Sequence, residues 1–281
     1  MRHHTQMIDA HFHLWQPSRG DYGWLTPELG AIYRDVTVAH WRDQSRPCGI
    51  TGGIVVQAAP TEAETQFLLA QAEPADDVLG VVGWVDLLAA DAPARIARLA
   101  RHRKLKGLRP MLQDIADPDW ILQSALRPAL NAMVQHGLVF DALVKPAHLP
   151  RIATLARSHP DLRIVIDHGA KPDIAAGDIG GWAEQMRAIG RGSGAFCKLS
   201  GLPTEAKAGW EPADLEPYVE VLLDAFGPAR LMWGSDWPVV NEAGGYAAWR
   251  AAAETLTAPL SDGDRALIFG GTAAAFYGIA G

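Results

Sequence analysis

Short apolar runs, most of them ending in a polar residue or glycine, alternate along this chain with longer stretches of helical periodicity. That alternation is the pattern of repeated βα units around a parallel sheet. The runs predict strands at 8–13, 53–58, 79–86, 105–109, 138–144, 163–168, 195–200 and 230–235. Helical spacing predicts helices at 62–72, 92–102, 119–136, 147–158, 179–189 and 214–226. Thr61, with Glu64 three positions on, reads as a capping box opening the first of these. Residues 16–51 separate the first two strands by more than an ordinary βα loop, and such long connections are functional or carry small elements of their own.

Eight strands with interleaved helices in 281 residues predict an α/β fold, a distorted (β/α)8 TIM barrel, as a single domain over residues 1–281. Its active site would lie at the C-terminal ends of the strands. An open doubly wound sheet is the alternative, but no GxGxxG follows the first strand. No linker, low-complexity tract or internal repeat divides the chain.

Composition narrows the classes of function. The formal charge of −7 is spread without a basic stripe, so nucleic acid is not an expected partner. Cys48 and Cys197 are the only cysteines and form no CxxC, which fits a reducing cytoplasm better than a disulfide scaffold. The start, MRHHTQMIDAHFHLW, has no apolar leader core, and no stretch reaches the roughly 18 apolar residues of a spanning helix. The expectation is a cytoplasmic protein without a membrane partner. Association into a homo-oligomer is not legible in the pattern.

The strand ends are rich in chemistry. His11 and His13 close the first strand, and period-two alternation points both rings to one face, roughly 7 Å apart. Gln57 ends the second strand, Trp84 and Asp86 the third, Arg109 the fourth; Asp141 lies on the fifth. His168 ends the sixth, and its neighbour Asp167 is expected to point to the other side, anchoring a helix or loop outside the site. Lys198 on the seventh either pairs inside the barrel or snorkels from the helix layer. Arg109 could hold a carboxylate, polarise a carbonyl, or pair with Asp86 or Asp141. The eighth strand, RLMWGSDWPV, ends on Asp236, with Gly234 expected to turn the chain at the rim and Trp237 to cover the carboxylate. No Gly-Xaa-Ser-Xaa-Gly elbow occurs and neither cysteine has a catalytic context, so chemistry by activated water remains.

Taken in order, IDAHFHLW, VVGWVDL, KGLRP, DHGAKP, CKLSGL and LMWGSDWPV resemble the amidohydrolase superfamily, in its sugar-acid lactonase branch, over nearly the whole chain. The resemblance implies a barrel whose first-strand His-Xaa-His and eighth-strand aspartate map onto His11, His13 and Asp236, with His168 matching the histidine of the DHxGKP motif. A single divalent ion, zinc or manganese, would then be held by His11, His13, His168 and Asp236; some relatives of this branch work without metal, and both cases stay open. The bridging carboxylated lysine of binuclear members has no counterpart, since the fourth strand offers Arg109 and the fifth Asp141. FGGTAAAFYG, in the last helix, departs from the family at Gly271 and Thr272, where an effect on packing is expected.

The activity implied is hydrolysis of a sugar-acid lactone to the free acid, with Asp236 activating water and His168 and Arg109 assisting catalysis. Gln57, Asp86, Asp141 and Lys198 would bind sugar hydroxyls, and Trp15, Trp84 and Trp237 would wall the ring. The alternatives are a metal-dependent decarboxylase or other hydrolase acting on a small carboxylated ring, and a barrel that only binds a sugar acid.

Overall fold

In the computed structural model, which describes residues 6–279, eight strands pair in sequential order and all in parallel. They are β1 (Ile8–Phe12), β2 (Gly52–Val56), β3 (Val78–Gly83), β4 (Leu105–Leu108), β5 (Val139–Ala142), β6 (Ile164–Ile166), β7 (Phe196–Leu199) and β8 (Leu231–Trp233). The seam between β8 and β1 is joined just beyond the strands. His13 N donates to the Trp237 carbonyl (2.7 Å) and Asp236 N to that of His11 (2.8 Å). The result is a nearly closed (β/α)8 barrel. Residues 1–5 and 280–281 of the expected 1–281 domain lie outside the described residues.

The strands stop short of the polar residues that end the apolar runs. His13, Gln57, Asp86, Arg109, His168, Ser200 and Asp236 therefore lie in the loops just past the sheet, where backbone direction is free to re-aim a side chain. Between strands run α1 (Val38–Ser45), α2 (Glu62–Ala72), α3 (Ala92–Leu99), α4 (Arg127–Gln135), α5 (Leu149–Ser158), α6 (Gly180–Gly192) and α7 (Pro212–Phe226). The expected helix at 119–136 begins only at Arg127, after two separate 3-10 turns. Pro128 has no N–H to give and its ring would clash with the carbonyl four residues back, so it fits only a first turn. The capping box at α2 is half formed. Thr61 accepts from Glu64 N, but the Glu64 carboxylate turns away to accept from Ala58 N and Ala59 N.

The long 16–51 piece carries three 3-10 turns and α1, and a two-way backbone pair between Trp15 and Val36 closes its first part into a loop. Beyond β8 come α8 (Tyr246–Leu256), α9 (Asp262–Ala266) and α10 (Thr272–Tyr277). At the start of α10 the Thr272 hydroxyl donates to the Pro228 carbonyl (2.8 Å), a packing contact remote from the strand ends.

Two apolar layers divide the side chains. Ile8, Ala10, Ile54, Val56, Val82, Val139, Val165 and Met232 form the inner cluster, closed by Phe276 and Tyr277 of α10. The outward-facing strand residues pack with the helices in the larger cluster. Between α10 and the level where the polar residues begin, the inner cluster is apolar.

Candidate active site

On β1 the inner-facing set changes parity. Ile8 and Ala10 belong to the inner cluster, yet Phe12 lies outside, stacked on Trp41 of α1 with ring centroids 4.2 Å apart. The pairing register shifts between Asp9 and Phe12, and a bulge there hands the interior from even to odd positions. His11 and His13 enter the barrel because of that shift. His13 Nδ1 donates to the Val56 carbonyl (2.8 Å), and its Nε2 lies 3.2 Å from both His11 Nε2 and Asp236 Oδ1.

On β6 plain alternation continues one residue past the end of the strand. Ile164 and Ile166 face out, Val165 faces in, and Asp167 therefore also faces in. The expectation that Asp167 stays outside the site is thus corrected. His168 joins it inside because its backbone is left-handed (φ 54°), opening a run that continues through Gly169, Ala170 and Lys171. Gly201 makes room: a Cβ there would fall 2.6 Å from His168 Nδ1. That nitrogen instead pairs with the Ser200 hydroxyl at 2.9 Å.

Below the histidines lies a buried ionic layer. Lys198 faces inward, with its ammonium 2.6 Å from Asp141 Oδ2, 2.9 Å from Asp167 Oδ1 and 3.1 Å from His11 Nδ1. Tyr277 donates to Asp141 (2.8 Å), and Arg109 NH1 to Asp167 Oδ2 (3.1 Å). Arg109 pairs with Asp167, not with Asp86 or Asp141, and its remaining donors grip the side chain and carbonyl of Gln57. Two fixed cations against two carboxylates leave the layer balanced, as groups withdrawn from water require.

The layer and the burial set the protonation of the groups above. Burial, then the Lys198 charge, holds His11 well below the usual imidazole value, and burial brings His168 down to about 4. Burial alone would raise the Asp236 carboxyl, but the surrounding imidazoles of His168, His13 and His11 outweigh it and hold the group well below the usual carboxylate range. Asp167 is likewise held low against burial by Lys198, His11 and Arg109.

A cavity of about 250 Å³ opens over this floor, lined by His13, Arg109, His168 and Asp236 with Lys171 and Trp24 at its sides. The sequence placed the first four at a site, and the fold brings them together. Gln57, Asp141 and Lys198 are fully buried beneath it and outside its lining, already bonded to one another's neighbours. Trp15 is buried and gives its indole N–H to the Ile32 carbonyl; Trp237 is buried behind the Asp236 turn. Trp84 and Asp86 line a neighbouring depression instead. Neither Lys171 nor Trp24 was singled out by the sequence, although Lys171 stands in the DHGAKP motif.

Asp9 is another residue the sequence left unremarked. Its carboxylate accepts from Ser235 N and Oγ (2.8 and 2.7 Å), Tyr246 (3.0 Å), Trp41 (3.1 Å) and His11 N (3.2 Å). It therefore ties the β1 bulge to the loop that presents Asp236.

His11, His13 and Asp236 offer three ligand atoms within 4.8 Å of one another, and His11, Asp167 and His168 form a second such group. With the Nδ1 proton of His13 committed to Val56, the Nε2 of a neutral ring turns a lone pair toward the Asp236 carboxylate at 3.2 Å. Two lone pairs facing at that distance call for a proton or a cation between them. His11 can serve both cases. Accepting from Lys198 at Nδ1 puts its proton on Nε2, whereas the other tautomer, with its Nδ1 proton on the side of the Asp167 carboxylate 3.6 Å away, leaves Nε2 free for a metal. Nitrogen and oxygen donors in this arrangement fit zinc or manganese. Arg109, at the position of a bridging lysine, has no lone pair to offer.

The amidohydrolase family model matches residues 8–279. The chain belongs to the amidohydrolase family. Within it, the chain is 47% identical over 279 residues to a protein of Burkholderia ambifaria named L-fucono-1,5-lactonase, covering 98% of this chain and 96% of the relative. It is 35% identical to a second L-fucono-1,5-lactonase, from Burkholderia multivorans, over 97% of this chain and 96% of that one. A crystal structure of an amidohydrolase from Burkholderia multivorans with bound zinc superposes with a TM-score of 0.93 at 33% identity, covering 98% of this chain and all of that one. Among the described residues, no helix of this amidohydrolase is long and apolar enough to cross a membrane.

Proposed function

We propose that this amidohydrolase opens a sugar-acid lactone, of the L-fucono-1,5-lactone type, to the free acid by attack of water activated at Asp236. The observation that carries the reading is the Asp236 carboxylate, held ionised against the imidazoles of His11, His13 and His168 at the floor of the cavity. The lactonase relatives support the same reaction over decarboxylation. Among the described residues no serine, threonine or cysteine lines the cavity: burial pushes the Cys197 thiol well up, the Ser235 hydroxyl is spent on Asp9, and Ser200 is buried against His168.

A cavity of about 250 Å³ lies just under the usual 300–1,000 Å³ of drug-sized sites, so it suits one small ring. Asp236 takes a proton from water as the water attacks the lactone carbonyl carbon, a step in which general-base help contributes about 10² to 10⁴ in rate. Arg109 and Lys171, both lining the cavity, place positive charge where the carbonyl oxygen becomes an oxyanion, and one well-placed donor there contributes about 10² to 10³. The carbon–oxygen bond of the ring then breaks. His168, with its pKa near 4, is neutral at pH 7 and cannot serve as a strong acid, so the proton on Asp236 returns to the departing ring oxygen. A zinc or manganese ion, held by His11, His13 and Asp236 with His168 beside them, would supply Lewis-acid polarisation of the lactone carbonyl. Asp141, Lys198 and Gln57 act from beneath, by fixing His11 and Arg109.

The test is a pH-indicator screen of the purified protein against aldonolactones, with zinc, with manganese and after chelation, alongside Asp236→Asn. We expect turnover of a 1,5-lactone and its near-complete loss in the folded variant. Near-normal turnover by the variant would remove Asp236 from the base role.

A further inference from the structure

Trp84 and Asp86, at the end of β3, face a second cavity of about 610 Å³ that shares Trp24, Met111 and Asp114 with the catalytic one. Trp24 stands between the two, pinned by its indole N–H to the Ala58 carbonyl (2.7 Å). The second cavity is walled mainly by apolar surface, with the indoles of Trp84 and Trp120 in its lining together with the carboxylates of Asp21, Asp86 and Asp114. Among the described residues, no lysine, arginine or histidine lines it. Asp21 is already engaged by Arg19 and Thr61, whereas Asp86 is exposed and accepts only the Leu88 N–H. The catalytic side thus carries the cations of Arg109 and Lys171 beside the carboxylates of Asp236 and Asp114, whereas carboxylates alone are the charged groups that line the other.

A lactone and its acid product share a carbon skeleton and hydroxyls but differ by one negative charge. Indole faces pack against the C–H faces of a ring, and carboxylates accept hydrogen bonds from ring hydroxyls. A carboxylate ligand in the same place would meet Asp86 and Asp114 inside the roughly 8 Å Debye length of physiological salt. We propose that this second cavity is a staging subsite for the uncharged lactone, contiguous with the catalytic cavity through Trp24, Met111 and Asp114, and that its acidic edge excludes the product acid. The proposal rests on the lactonase reading of the catalytic cavity.

The wild-type enzyme, Trp120→Leu and Asp86→Asn are assayed on the 1,5-lactone proposed above, with its open acid as inhibitor. Removing the indole of Trp120 should raise KM about 3- to 10-fold with kcat within about 2-fold, the signature of lost binding away from the reacting atoms. Asp86→Asn should make the acid a stronger inhibitor by about 3-fold or more, through relief of like-charge repulsion, an effect that a purely structural residue would not produce. Separately, tryptophan fluorescence of the inactive Asp236→Asn protein should be quenched by the lactone and not by its acid, and the quench should shrink when Trp120→Leu is added. An unchanged KM in Trp120→Leu overturns the subsite, as does equal quenching by lactone and acid, or a quench produced by tetramethylammonium and not by lactone. Absence of any lactone turnover in the wild type would instead refute the functional reading, and the fluorescence titration would still decide the subsite.

Discussion

Gly234 of the β8 rim lies so close to His11 that a Cβ there would fall 2.7 Å from the His11 Cβ and 3.0 Å from its backbone N. Its backbone is not left-handed, so its role is close approach and not the turn at the rim expected from the sequence. Gly234→Ala should push His11 out of line with His13 and Asp236. We expect a stability loss of about 1–3 kcal/mol by urea unfolding, as for other overpacked interiors, together with a fall in kcat larger than the stability loss explains.

Asp9→Asn tests the link between the β1 bulge and the Asp236 loop. An amide group in place of one carboxylate oxygen turns a donor toward the donors of Ser235, Trp41, Tyr246 or His11. Each buried group left unpaired costs about 1–3 kcal/mol. The melting temperature should drop, and lactone turnover should fall although Asp9 lines no part of the cavity.

Lys198 and Asp141 form a pair with no access to solvent. Lys198→Met leaves Asp141 and Asp167 without their shared ammonium, and breaking such a pair costs about 3–5 kcal/mol. Adding Asp141→Asn should recover a large part of that loss, because Asp167 keeps Arg109. Chemical denaturation of the two single variants and the double variant measures the coupling; simple additivity would contradict it.

Glu64 provides a pH dependence away from the histidines. Burial pushes its carboxyl up to about 8, against the two amide bonds that favour the ionised form. A carboxyl whose folded pKa exceeds its unfolded value contributes its full stability below the unfolded value, near 4.5, and loses it as pH rises through about 8. Above about pH 7, where His11 and His168 are neutral in the folded and the unfolded chain alike, the melting temperature should therefore decline toward pH 8, and Glu64→Gln should flatten that decline. An identical slope in both proteins would assign the pH dependence to other groups.

The barrel was legible because each buried parallel strand must be apolar over its length and each helix must show an apolar face, and both periods survive in a single sequence. The residues of the catalytic cavity were legible for a related reason. His13, Arg109, His168 and Asp236 end apolar runs, and a polar residue that closes a buried strand in a barrel emerges at the active rim. Trp84 and Asp86 also lie at the rim, but in a neighbouring depression, because position along a strand does not say which part of the rim a loop will face.

Run by run, the sequence determined the eight strands, the level at which polarity begins, and the identity of the histidines and aspartate that converge. It did not determine facing. A register shift on β1 turned His11 and His13 inward, ordinary alternation on β6 brought in Asp167, and a left-handed backbone brought His168 in beside it. Those turns are decided by what closes around them: the space above Gly234 and Gly201, the donors gathered on Asp9, and the charge balance of Lys198 with Asp141 and Asp167. Each is a contact between residues far apart in the chain, made only when the barrel closes, and local periodicity carries no trace of it.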